Sequence, residues 1–197
     1  QKRIFRYLYS TKGHEGTGLG LFISRQLIEE HHGTSGYWRG NYFTVLEGSL
    51  RVPAIIRWPG KIPAGKVTNE IIHIVDMIST FASIAGADVP KDRIIDGIDQ
   101  TDFLLGKQEH SNRDGFPAFN GDEMFAYKWK NWKMHLIELN SMFEAPARLN
   151  MPHLYNLTED PKEKYPIDQV DISGSWVFPV IFEKIVEFQK TLEVEPP

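Results

Sequence analysis

The chain has 197 residues, 41% hydrophobic and 24% charged, a composition that fits a folded globular protein and not a disordered one. A net charge of -4 and a pI near 6.0 give no basis for nucleic-acid binding. The absence of cysteine excludes disulfides, thiol catalysis and thiolate metal sites, and no apolar run approaches the roughly 20 residues of a membrane span.

Gln1-Lys2-Arg3 leads into a segment charged throughout, unlike a signal peptide, and a chain opening on Gln is expected to have lost its natural start. The compartment stays unknown. A glycine-rich run from Gly13 to Gly20 precedes a predicted amphipathic helix carrying Phe22, Ile23, Leu27 and Ile28 on one face, stopped at His31-His32-Gly33. A run of this kind, around Gly16, Gly18 and Gly20, reads either as a flexible helix entry or as a cradle for phosphate through its backbone amides. No Gly-Lys-Ser/Thr closes the run, so it is not a P-loop.

Leu50 to Trp58 is nearly continuously apolar and reads as a strand buried on both faces. Ile71 to Val75 is a second short apolar run, interrupted by His73, which is expected to be a satisfied core histidine. Asp76 reads as the N-cap of a helix through Ala85, stopped by Gly86. Residues 87–121 are rich in Asp, Gly, Pro and Asn and hold one short helical candidate, Gln100 to Leu105. Met124 to Trp129 and Trp132 to Leu139 flank Lys130-Asn131 as an antiparallel hairpin. His153 to Leu157 adds a strand. Phe178, Ile181, Ile185, Phe188 and Leu192 form the stripe of a final helix, with Pro179 tolerated in its first turn. The second half is therefore an α+β unit, a helix covering a small antiparallel sheet.

Two resemblances divide the chain. Phe5, Ser10-Thr11-Lys12 and Gly16-Thr17-Gly18-Leu19-Gly20-Leu21, with the helix after them, resemble the phenylalanine box and second glycine box of sensor histidine kinases. The resemblance implies a nucleotide-phosphate role for Gly16, Gly18 and Gly20. The family's magnesium-binding asparagine box and adenine-reading glycine box do not occur in these residues.

From Thr34 onward the resemblance changes. Leu46-Glu47-Gly48-Ser49-Leu50-Arg51-Val52-Pro53 and its continuation to Ile62 are similar to a strand segment of arylsulfatases. His73-Ile74-Val75-Asp76-Met77, Asp96-Gly97-Ile98-Asp99, the 128–133 hairpin and Leu154 to Pro161 follow in the order of that family. This implies three parts: a kinase-like piece over 1–33, the end of an alkaline-phosphatase-like sulfatase α/β domain over 34–121, and a C-terminal antiparallel-sheet subdomain over 122–197. The two meet at Gly33-Thr34 without a linker, which suggests a fused or rearranged frame.

The sulfatase resemblance implies hydrolysis of sulfate esters with a formylglycine nucleophile and calcium, in relatives that are often periplasmic or secreted. The chain has no cysteine and no Ser-x-Pro-x-Arg, so these residues are expected to be inactive alone, with no catalytic or metal residue and no cofactor. Arg39 is the candidate that faces sulfate, because a guanidinium matches an oxyanion's planar geometry. Tyr42 stands near a position where many relatives carry lysine. Arg51 is expected to pair with Glu47, and Asp96, Asp99 and Asp102 to serve loop structure. His135, Trp129 and Trp132 are assigned to sheet packing. The expected partners are a sulfate ester in the intact family and a second copy through exposed sheet edges. The alternatives left open are an ATP-binding histidine-kinase remnant and a non-catalytic module.

Overall fold

The computed structural model describes residues 36–167 and 172–194. The kinase-like piece, with Gly16, Gly18 and Gly20, lies outside them.

The centre is a four-stranded antiparallel sheet in the order β1 (Gly115–Asn120), β2 (Glu123–Trp129), β3 (Trp132–Glu138) and β4 (Ala147–Asn156). The β2–β3 hairpin forms as predicted, closing at the pair Trp129↔Trp132. At the tip Lys130 takes a left-handed φ of 51°, and its amide donates to the Asp114 carbonyl at 2.7 Å. The Asn131 carbonyl accepts from Leu157 at 2.8 Å, so neighbouring segments hold the turn on both sides.

β2 contains a bulge. Ala118 pairs with Ala126 and Phe119 with Met124, which leaves Phe125 as the extra residue. An extra residue shifts the two-residue alternation. Phe125 and Ala126 consequently enter the same cluster, with Val45, Ala118, Ile137 and Leu139. Met124 falls on the opposite side with Trp129 and Trp132.

On that opposite side lies the terminal helix (Val177–Val194), slightly longer than the predicted stripe. Val177, Ile181 and Ile185 recur every four residues and are buried against Tyr127, Met134 and Leu154. Burying each such side chain contributes about 1.5–3 kcal/mol before entropy is counted. This is the helix-on-sheet unit the sequence led us to expect.

Two expectations need correction. Leu50 to Trp58 is not a strand. A single helical turn, α1 (Glu47–Leu50), precedes it, and residues 51–60 then run on as exposed chain, with Val52 84% and Ile55 97% accessible. A run suited to burial on both faces forms a strand only where neighbouring strands supply hydrogen bonds, and none of β1–β4 does so. The short apolar run Ile71 to Val75, for which the sequence predicts no element, is irregular. Finally, Asp76 is the first residue of α2 (Asp76–Ala85) and Val75 is its N-cap; the predicted stop at Gly86 holds, with φ 68°.

The remaining elements add detail. α3 (Thr101–Leu104) lies within the predicted window. β1 went unpredicted because Pro117 sits inside it, and a proline is accommodated there because β1 is an edge strand. β4 starts earlier than expected, with a register shift between His135↔His153 and Ile137↔Arg148. β1 precedes residue 121, so the sheet extends upstream of the division expected there.

Candidate functional site

The face of the sheet away from the terminal helix carries charges. Lys128 and Lys133 sit on β2 and β3 beside His135, and all three are buried. Two carboxylates meet them. Glu47, on α1, places Oε2 at 2.5 Å from Lys128 Nζ and Oε1 at 3.2 Å from Lys133 Nζ. Glu163, from the loop after β4, places Oε2 at 3.1 Å from Lys133 Nζ and 2.6 Å from His135 Nε2. Its Oε1 accepts the Glu47 backbone N–H at 2.7 Å. The predicted Arg51–Glu47 pair is present at 2.5 Å, and the Arg51 guanidinium also stacks over Trp38 at 3.8 Å.

Burial alone would raise the Glu47 pKa, but Lys133 and Lys128 overcome it and bring it down to about 2. Glu163 follows the same logic: burial opposes, then His135 and Lys133 hold its carboxyl below the usual range. Burial dominates at His135 and lowers its pKa despite the contact with Glu163. The imidazole is therefore neutral at pH 7 and donates from Nε2 to the Glu163 carboxylate.

Arg39 borders this cluster and is half-buried. The loop that carries it is closed by its own backbone: the Arg39 carbonyl accepts Gly48 N–H at 2.8 Å, and Asn41 accepts Thr44 N–H at 3.2 Å. Gly40 turns the chain at φ 107°, where a Cβ would stand 2.5 Å from Leu46 Cβ. Arg39 Nη2 donates to the Glu163 carbonyl, and its buried Nε has no hydrogen-bond partner. Among the described residues Arg39 meets no carboxylate. Tyr42 is 81% exposed nearby. The arrangement can hold an anion by charge and directed N–H groups; it offers no nucleophile.

A second buried ion pair anchors α2. Arg113 Nε and Nη2 reach both oxygens of Asp76 at 2.5–3.0 Å, and Asp76 also accepts the N–H groups of His73 and Ile98. Burial would raise the Asp76 pKa, yet Arg113 and these amides keep it low. His73 packs against Phe116 with ring centroids 5.1 Å apart. Its pKa is lowered, by burial first and then by Arg113. Packing accounts for it.

Calcium has no fitting donor set in these residues. Asp99 is used by the N–H and hydroxyl of Thr101, and Asp102 pairs with Lys107 at 2.7 Å. Among the described residues no three His, Asp or Glu side chains are arranged around a metal. An open groove of 530 Å³ beside α2 is lined by Ser79, Asp88, Lys91, Arg93 and Asp99 among others. Arg93 is paired with Asp92 at 2.8 Å.

The sequence singled out Arg39 as a candidate and paired Arg51 with Glu47, a pair the structure contains, but Glu163 and the burial of Lys128, Lys133 and His135 went unpredicted. One signal was present: Lys128, Lys133 and His135 share a hairpin face whose reverse carries Tyr127, Trp129, Trp132 and Met134.

A family profile described as "N-sulphoglucosamine sulphohydrolase, C-terminal" matches residues 36–173. The chain is 30% identical over 163 residues to steryl-sulfatase of Rattus norvegicus, covering 71% of this chain and 28% of that protein. It is 29% identical over 181 residues to N-acetylgalactosamine-6-sulfatase of Canis lupus familiaris, covering 81% and 34%. It thus spans about a third or less of these curated relatives. Among solved structures, the PsFucS1 sulfatase from Pseudoalteromonas sp. superposes with a TM-score of 0.73 at 24% identity, over 91% of this chain and 42% of that one. None of these matches supports the resemblance of residues 1–33 to histidine kinases.

Proposed function

The chain belongs to the sulfatase family, and from that premise we propose that it forms the C-terminal portion of a sulfuric ester hydrolase, with Arg39 binding the sulfate group. The observation that carries this reading is the Arg39 guanidinium: fixed through a neutral carbonyl, meeting no carboxylate among the described residues, and beside a cluster in which Glu47 and Glu163 are outnumbered by Lys128, Lys133 and Arg51. Such a group binds an oxyanion without first having to break an ion pair.

Sulfate-ester hydrolysis in this family draws on a hydrated aldehyde as nucleophile and on calcium to hold sulfate oxygens. The chain's own contribution is to bind and orient: Arg39 takes sulfate oxygens while the Gly40 turn and the Glu47–Lys128–Lys133 cluster keep its loop in place. The 197 residues alone are proposed not to turn over, since they contain neither a cysteine nor Ser-x-Pro-x-Arg. A fluorogenic aryl sulfate, offered with calcium and the aldehyde-forming maturase, should give no product. Turnover by this chain would overturn the reading.

Self-association is the second part of the proposal. The exposed chain at 51–60, with Val52 84% and Ile55 97% accessible, lies outside the sheet formed by β1–β4, where a second copy can meet it. Sedimentation velocity should show concentration-dependent oligomers. A monodisperse monomer across the accessible concentration range would overturn this part.

A further inference from the structure

We propose that Glu163 is the positioning residue for Arg39, the group that turns an ordinary arginine into a sulfate receptor; this rests on the reading of Arg39 given above. Glu163 is fully buried and adopts φ 51°, a left-handed conformation uncommon for a residue with a side chain. Its surroundings over-determine that conformation. Its N–H donates to the Asp160 carbonyl at 3.1 Å, and Asp160 Oδ2 accepts from Lys164 and Tyr165 at 2.6 and 2.7 Å. Its carboxylate is clamped by Lys133 and His135. Non-glycine residues held in this region point to sites where geometry is under constraint.

The two ends of Glu163 do separate work. Its carbonyl takes Arg39 Nη2. Its Oε1 takes the Glu47 N–H, and the next amide, Gly48 N–H, binds the Arg39 carbonyl. Backbone and guanidinium of Arg39 are therefore both referred to one residue 124 positions away in the chain. The type of acceptor matters. A carboxylate in the same place would orient Arg39 but also neutralise it, whereas a carbonyl orients it and leaves the charge for a ligand. The buried Nε without a partner belongs to the same picture.

The test uses the full 197-residue chain with nitrogen-15 label, titrated with phenyl sulfate and, separately, inorganic sulfate, reading the Arg39 Nε–H resonance and the binding isotherm. We expect a saturable shift in the unmutated chain and its loss in Arg39→Ala. Glu163→Gln should keep the Trp129 and Trp132 indole resonances of the folded state but bind about tenfold more weakly. If Arg39→Ala binds as well as the unmutated chain, the Arg39 reading itself is wrong and the proposal falls with it. If Arg39→Ala loses binding while folded Glu163→Gln retains it within about twofold, only the positioning role is overturned. Should Glu163→Gln not fold, the order parameter of the Arg39 Nε–H bond in the unmutated chain decides. A value matching the β3 backbone supports the proposal, and a mobile side chain overturns it.

Discussion

Replacing Glu47 by Gln tests the charged face of the sheet most directly. The side chain is fully buried and touches Lys128, Lys133 and Arg51, so the substitution keeps the shape and removes the one charge they share. The Glu47 carboxyl falls from 4.5 to about 2 in the folded chain. Its pKa is depressed on folding, so its contribution is present above pH 4.5 and is lost as pH falls from there toward 2. At roughly 1.4 kcal/mol for each tenfold change, the carboxylate contributes about 3 kcal/mol at pH 7 and roughly half of that at pH 3. The neutral figure falls at the low end of the range for breaking a buried ion pair, about 3–5 kcal/mol. Urea unfolding of Glu47→Gln and the unmutated chain, followed by tryptophan fluorescence at both pH values, measures the difference. Glu163 titrates in both proteins, so only Glu47 separates the curves to first order. A difference below about 1 kcal/mol at pH 7, or one that does not shrink on acidification, would refute the assignment of the buried charge to Glu47.

Arg113→Met leaves Asp76 buried against His73 and Ile98 without its cation; we expect a loss of about 3–5 kcal/mol, read from thermal and denaturant unfolding. Gly40→Ala places a Cβ 2.5 Å from Leu46 Cβ at φ 107°; a cost of about 2 kcal/mol or more is expected in urea unfolding, with a changed Arg39 Nε–H resonance. Ile181→Ala, at a fully buried position under the sheet, should cost about 2–5 kcal/mol by the same measurement. Arg148→Ala is the contrast: its contact with Glu123 is an exposed pair, and its removal should change stability by less than about 0.5 kcal/mol.

The C-terminal unit was legible because its signals are local. A two-residue turn between Trp129 and Trp132 sets the hairpin register, and the Val177–Val194 helix repeats its apolar residues on one face. The Arg51–Glu47 pair was legible for the same reason, being four residues apart. What the sequence did not show depends on distance. Glu163 lies 116 residues from Glu47, and nothing near it in the chain marks it as the acid that Lys133 and His135 require. The strand expected at Leu50 to Trp58 failed in the opposite sense: its apolar pattern describes an environment that β1–β4 do not supply. For the candidate site, Arg39 came from resemblance, while its attachment to the Glu163 carbonyl came only from three dimensions.

The sheet's two unlike faces should respond to temperature in opposite directions. On one side the terminal helix is held by Val177, Ile181 and Ile185 against Met134 and Leu154, an apolar contact that weakens on cooling. On the other, Glu47 and Glu163 hold Lys128 and Lys133, and the desolvation penalty of such charges falls as temperature rises. Near freezing, the terminal helix is the side to loosen first. Warming favours the ionic side, to which Arg39 is attached through the Glu163 carbonyl.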